Sequence, residues 1–316
     1  MKKCFINNYR LLFRCFSLKS SLFSQKMAQS KFEYVKGFER DEHCLPNCYI
    51  VVRIDGRGFS KFADDHKFSK PNDLTALELM NQAAISVMEN FKEIVIAYGQ
   101  SDEYSFVFRR NAEQFNRRVF KITSNVNSLF ASSYVFHWSQ FFKDTQLLYP
   151  PAFDARLVLY PMDNNLRDYL SWRQADVHIN NLHNTCFWNL VQKKNMTTRE
   201  ANEKLKGTVS SDKNEMLFHD FGINYNNELP IFRKGTIILR KSITENGRKR
   251  NVIEKISDDL IGDRFWIENK EVFGDNYAEE LLKTGQKEIR GKKSKTKEVE
   301  KKEKKSEGND AAISSN

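Results

Sequence analysis

The chain has 316 residues, 40% hydrophobic and 13% aromatic, enough apolar material for a sizeable core and too much for a disordered chain. Its length predicts one elaborated domain or two. No run approaches the roughly 18 apolar residues of a membrane span, which excludes a spanning helix and leaves no membrane partner to expect.

The net charge of +10 is concentrated at the two ends. Residues 1–32 hold seven Lys/Arg and no acid, and residues 283–316 hold eleven Lys/Arg and six acids. That leaves residues 33–282 at −2, so a uniformly basic, polyanion-coating middle is excluded. Any RNA surface there has to come from local clusters: Arg109–Arg110, Arg117–Arg118, Lys193–Lys194 and Arg233–Lys234. The five cysteines, at 4, 15, 44, 48 and 186, are too sparse for a disulfide framework and point to a reducing compartment. His43, Cys44 and Cys48 lie close together, but no second Cys/His pair at zinc spacing follows them.

In chain order, residues 1–27 interleave Lys2, Lys3, Arg10, Arg14 and Lys19 with Phe and Leu. That composition predicts a mitochondrial presequence, or an upstream extension with Met27 as an alternative start. Residues 48–54 form a β-branched run that ends at Asp55-Gly56, which predicts a buried strand running into a turn. Pro71-Asn72-Asp73 opens a helix whose apolar face carries Leu74, Leu77, Met80, Ala84, Val87, Met88 and Phe91. Strand-like runs at 94–98 and 104–108 flank Gly99-Gln100-Ser101-Asp102-Glu103, read as a five-residue hairpin loop. A helix with a break is expected over 112–142, and a fourth strand over 156–160. Leu166 to Lys193 reads as a helix with Leu170, Val177, Leu182, Phe187, Trp188 and Leu190 as its core. Thr197 and Glu200 have the spacing of a capping box. The tail at 283–316 is Lys-rich and almost free of apolar residues, so disorder is expected there.

The order β-α-β-β-α-β predicts an α+β fold: a ferredoxin-like, polymerase-palm antiparallel sheet with packed helices, followed by a mainly helical C-terminal part. In that topology strands one and three are neighbours. Asp55 and the Asp102–Glu103 pair then fall at one end of the sheet. Clustered carboxylates repel unless a cation joins them, and Mg²⁺ prefers one or two carboxylates plus substrate phosphates. The pattern therefore predicts a site for two Mg²⁺ at Asp55 and Asp102, completed by Glu103 or the Gly56 carbonyl. No G-x-x-x-x-G-K-[ST] sequence is present, so phosphates need other donors. The turn Gly56-Arg57-Gly58-Phe59-Ser60, Lys70 before the helix start and the Ser101 hydroxyl are the candidates. Taken by itself, Lys213 reads as a surface lysine and His178 as a satisfied helix histidine.

Several blocks resemble the tRNA-His guanylyltransferases. They are RIDGR at 53–57, YGQSDEYSF at 98–106, YLSWRQAD at 169–176, HINN at 178–181, DKNE at 212–215, NYNNELP at 224–230 and RKGT at 233–236. The resemblance implies a palm-like catalytic domain over 28–163 and a tRNA-binding and activation region over 164–282. It implies ATP-dependent adenylylation of the tRNA 5′ phosphate, attack by the GTP 3′-hydroxyl with loss of AMP, and removal of pyrophosphate. The implied metal ligands are Asp55, Gly56 through its carbonyl, and Asp102, with Glu103 adjacent and catalytic. The implied triphosphate contacts are Asp55, Gly56, Arg57, Gly58, Phe59, Ser60, Lys70, Ser101 and Asp102. Asp176, His178, Asn181, Lys213 and Asn224 match positions tied to tRNA or activation, and the family is commonly tetrameric. The family often has His where this chain has Ser60, which can donate a hydrogen bond but carries no imidazole charge. A palm-type nucleotide cyclase and a non-catalytic RNA-binding protein are the alternative readings. Cytoplasm and mitochondrion are both expected locations, with the nucleus open through the Lys-rich tail.

Overall fold

The computed structural model describes residues 31–245 and 248–284. The expected presequence at 1–27, and the Lys-rich tail from 285 onward, lie outside the described residues. Residues 31–41 belong to a unit of their own and carry a short 3-10 helix, Glu33–Phe38. All that follows concerns the chain from Glu42 onward.

The elements run β1 (Tyr49–Gly56), α1 (Phe59–Asp65), α2 (Leu74–Asn90), β2 (Ile94–Gln100), β3 (Glu103–Phe108), α3 (Val119–Phe141) and β4 (Phe153–Tyr160). They continue as α4 (Asp163–Lys193), α5 (Thr198–Leu205), α6 (Ser210–Phe221), α7 (Pro230–Lys234), β5 (Thr236–Glu245), β6 (Arg248–Ile256) and α8 (Asp263–Glu268). The sheet order is β4-β1-β3-β2-β5-β6 and every neighbouring pair is antiparallel. Its first four strands are the β-α-β-β-α-β arrangement read from sequence.

Both faces of the sheet are covered, which is why β1 to β3 read as near-continuous apolar runs rather than as alternation. Ile50, Val52, Ile54, Phe106 and Phe108 face α2 and α3. Their neighbours Tyr49, Val51 and Val107 face the other way, against Leu166, Tyr169, Leu170 and Val177 of α4. At 31 residues α4 is about 46 Å long. Its second half leaves the sheet and builds a satellite core with α5 and α6, where Leu182, Cys186, Leu190, Leu205 and Leu217 meet. The capping box at Thr197 forms as expected, with Thr197 N donating to Glu200 Oε2 at 2.8 Å and Glu200 N to Thr197 Oγ1 at 3.2 Å.

The expected break in the 112–142 helix is present, and three features depart from expectation. The buried face of α2 is rotated: Leu79 and Ala83 are fully buried while Leu74 is exposed, because the Leu77 side of the helix borders a cleft. The break before α3 is a 3-10 turn, Gln114–Arg117, with Phe115, Asn116 and Arg117 all at positive φ (52°, 54° and 60°). Arg117 and Arg110 are not free for RNA. Arg117 donates to the carbonyls of Ala112 (2.6 Å), Leu45 (2.6 Å) and Cys48 (3.0 Å), and Arg110 lies over the Tyr49 ring and bonds Pro161 O. Strands β5 and β6 follow where the sequence predicts none; the fully buried stretch of Ile237, Ile238 and Leu239 is too short to stand out. Among the described residues no helix is long and apolar enough to cross a membrane.

Candidate active site

Strand pairing brings the acids together. Asp55 is directly opposite Glu103 in the β1–β3 register, and Gly56 N donates to Asp102 O at 3.1 Å. The hairpin is tighter than the five-residue reading: Gln100 pairs with Glu103, leaving a two-residue turn of Ser101 and Asp102. Ser101 takes φ 48°, a left-handed value usually left to Gly or Asn. Gly99, the apparent turn signal, lies inside β2, where a Cβ would come within 2.1 Å of the Tyr104 ring. Gly56 has a similar reason. A Cβ there would lie 2.3 Å from the Phe59 ring and 2.8 Å from Asp102 Oδ2.

The three carboxylates are not equivalent. Glu103 accepts from Arg173 Nε at 2.8 Å and has Arg53 Nε at 3.9 Å. Burial still holds its carboxyl above the usual range, with the two arginines pulling it back. Arg173 is 6% exposed, also bonds Asp176 at 3.1 Å, and stacks on Trp172 at 4.4 Å. Glu103 thus has its counter-charge within the protein and positions α4. Asp102 is desolvated, and burial, with the Asp55 charge adding to it, raises its carboxyl; the Ser101 hydroxyl and the backbone offset part of this.

Among the described residues no group of three or more His, Cys, Asp or Glu is disposed to hold a metal ion. The smaller set, Asp55, Asp102 and the Gly56 carbonyl, still suits Mg²⁺, which takes one or two carboxylates and completes its shell with water and phosphate oxygens. A desolvated carboxylate beside a second carboxylate is the environment a divalent cation relieves.

Beside the acids opens a cleft of about 440 Å³. Of the phosphate candidates, Phe59, Ser60, Lys70, Ser101 and Asp102 line it. Arg57 and Gly58 are exposed in the turn, where Gly58 at φ 68° starts α1. Lys70 Nζ pairs with Asp64 Oδ1 at 2.9 Å and sits over the Trp188 ring at 5.4 Å. The expected pairing of Lys70 with a free helix N-terminus does not occur. Asp73 fills that end, its carboxylate accepting from Ala76 N (3.0 Å) and Ser69 N (2.9 Å).

Of the five residues tied to tRNA or activation, Asn181 alone lines the cleft. His178 and Asn181 converge on Tyr225: the His178 ring lies 5.5 Å away edge-on, and Asn181 Nδ2 donates to the Tyr225 hydroxyl at 3.0 Å. His178 is exposed rather than satisfied in a core, and desolvation, with Arg233, lowers its pKa. Lys213 is buried, not a surface lysine, and donates to Thr208 O at 2.8 Å. Asn224 caps the turn at 225–227 by accepting from Asn226 N at 3.0 Å. Sequence reasoning missed Arg173 and Gln174. Gln174 ties α4 to the β5–β6 side through Lys234 O (3.0 Å), Asp258 O (2.8 Å) and Leu260 N (2.7 Å). It also missed the α4 stripe of Asn180, Asn184, Phe187 and Trp188 in the cleft, whose only sequence signal is i, i+4, i+7/8 spacing.

Carboxylates at the ends of adjacent antiparallel strands, beside an open cleft that carries a lysine, are the arrangement of a palm-type nucleotidyltransferase. The family model described as tRNAHis guanylyltransferase matches residues 32–161, and the model of the Thg1 C terminal domain matches residues 164–315. A Drosophila melanogaster protein named "Probable tRNA(His) guanylyltransferase" is 55% identical over 248 residues, which span 78% of this chain and 86% of that protein. The crystal structure of the tRNA(His) guanylyltransferase from Saccharomyces cerevisiae superimposes with a TM-score of 0.64 at 44% identity, covering 71% of this chain and 96% of that one. A bacterial tRNA(His) guanylyltransferase (Thg1)-like protein in complex with ATP shares the fold at TM-score 0.63 and 19% identity, over 78% of this chain and 100% of its own. The chain belongs to the tRNAHis guanylyltransferase family.

Proposed function

We propose that the protein adds a guanosine to the 5′ end of tRNA-His. ATP adenylylates the tRNA 5′ phosphate with release of pyrophosphate. The 3′-hydroxyl of GTP then attacks that phosphate and AMP leaves, and pyrophosphate is finally removed from the added nucleotide. The single observation that carries this reading is convergence: strand pairing brings Asp55 to Asp102, and Asp102 lines one cleft together with Ser60, Lys70 and Ser101. A cyclase or a pure RNA binder has no use for the matched C-terminal region together with this complete acid set.

The chain's own groups divide the work. Asp55, Asp102 and the Gly56 carbonyl would hold two Mg²⁺, which when bound would lower the pKa of an attacking hydroxyl and offset triphosphate charge. Lys70 leaves its Asp64 pairing to meet phosphate, and the first N–H groups of α1 have no intrahelical partner and are free for phosphate oxygens. Glu103 and Arg173 hold α4 against the sheet, so that Asn181 stays in the cleft wall. His178, largely neutral at pH 7, and Asn181 are placed to meet the tRNA end beside Tyr225. We assign residues 28–163 the chemistry and residues 164–282 tRNA binding and activation, in a homotetramer.

Purified protein, 5′-monophosphorylated tRNA-His, ATP, GTP and Mg²⁺ should give a one-nucleotide 5′ extension resolved on a gel. Asp102→Ala should lower that rate by more than about 100-fold. Wild-type turnover in the variant would remove Asp102 from the site. The absence of both extension and an AMP-capped intermediate in the wild type, with tRNA still bound, would favour a binding role.

A further inference from the structure

Three carboxylates, those of Asp64, Asp73 and Asp102, line the cleft, and among the described residues Lys70 is its one cationic lining side chain. A polyphosphate entering this site therefore depends on where a single ammonium is held. Two groups hold it. Asp64 Oδ1, on α1, lies 2.9 Å from Lys70 Nζ, and the centroid of the Trp188 ring, on α4, lies 5.4 Å from the same atom.

These partners differ in kind. The Asp64 side chain is 64% exposed, so its ion pair is screened and weak. As an anion it also competes with phosphate for the lysine. Lys70 itself is only 24% exposed and has lost much of its hydration, the condition in which a ring face holds a cation most strongly. The Trp188 indole carries no net charge. It can stay against the ammonium while phosphate oxygens take the place of the carboxylate. Trp188 is half-buried in the cleft wall and packs edge-on against Phe187, with centroids 5.2 Å apart at 87°, which braces the plane of its ring. The face that Lys70 covers is not open for a nucleobase to stack on.

We infer that Trp188 is a positioning residue for the nucleotide: its indole face holds the Lys70 ammonium in the cleft for the triphosphate, with or without Asp64. The inference rests on the proposed function in taking a nucleoside triphosphate as the ligand that Lys70 meets. It gives α4, an element of the region assigned to tRNA, a part in nucleotide binding.

Calorimetric titration of the full chain with GTP and Mg²⁺ tests this on the wild type, Trp188→Leu, Trp188→Phe, Lys70→Met, Asp64→Asn and the double variant Lys70→Met with Trp188→Leu. Trp188→Leu should weaken GTP binding roughly fivefold, and Trp188→Phe, which keeps a ring face, should recover part of that loss. In the Lys70→Met background Trp188→Leu should cost nothing further, because the ammonium it holds is gone. The same loss with and without Lys70 would mean that the indole stacks on the base or only supports the fold, and would overturn the assignment. Asp64→Asn should bind GTP as tightly as the wild type or tighter. A loss there equal to that of Trp188→Leu would make Asp64 the holder and overturn it too. If Trp188→Leu does not fold, Trp188→Phe, alone and with Lys70→Met, carries the same comparison. Wild-type protein that binds no GTP would fail the proposed function itself, and the inference with it, a result distinct from all the others.

Discussion

Asp102 concentrates the conflict between stability and use in one side chain. Its folded pKa is raised above the ordinary 3.8, first by burial and then by the Asp55 charge. A raised carboxyl contributes stability that is full below about pH 3.8 and is lost as pH rises through the folded value, so at pH 7 the ionised form weakens the fold. Asp102→Asn removes that charge. In EDTA at pH 7 its melting temperature should exceed the wild type's by about 2–4 °C, a gain that shrinks as pH falls toward 4, while nucleotide addition is abolished. A variant that melts lower at pH 7 would show that the carboxylate is favourably paired. The acids themselves were legible in the sequence because each ends an apolar run. Their unequal roles were not. Glu103 reads as one more metal-site acid until Arg173, 70 positions away, is seen to hold it at 2.8 Å.

At the scale of elements, α4 is the joint of the molecule. One side of its first half covers the sheet, Arg173 and Gln174 pin it to β3 and to the β5–β6 side, and its second half lines the cleft and supports the satellite core. Arg173 and Glu103 have side chains only 8% and 13% exposed, so removing Arg173 leaves the buried Glu103 with only Arg53 at 3.9 Å to offset its charge. Arg173→Gln should cost about 3 kcal/mol in urea unfolding, and the double change with Glu103→Gln should recover part of it. Additive losses would mean that the pair is not coupled. The period of α4 could be read from sequence, but not which of its stripes faces sheet, cleft or solvent. Polar Gln174 and Asn181 are buried because each finds a hydrogen-bond partner that only the fold supplies, while Thr185 and Asn189 bond carbonyls one turn back on α4 itself.

For the whole molecule, the sheet crosses the boundary between the two regions assigned above. Strand β5 adds to β2, burying Ile237, Ile238 and Leu239 against it, and α8 contributes Phe265 and Trp266 to the same core as Val51 and Tyr98. A chain ending at residue 163 would expose the β2 edge and the apolar face that α4 covers. It should therefore aggregate or remain partly unfolded by circular dichroism and gel filtration. A soluble, cooperatively melting fragment would show that the first four strands suffice.

By itself the sequence determined the strand order of the palm, the capped helices and the position of the acids, because these rest on local period and local turn chemistry. It also carried the family, through blocks such as YGQSDEYSF and RIDGR. Tertiary structure alone decided that Asp55 and Glu103 stand in register, that β5 and β6 extend the sheet, and that Arg117 serves the fold through the carbonyls of Leu45 and Cys48. It alone left the Tyr134 hydroxyl without a hydrogen-bond partner among the described residues. Each of these depends on pairing between residues far apart in the chain, where burial, desolvation and hydrogen-bond satisfaction are set by a partner no local pattern names.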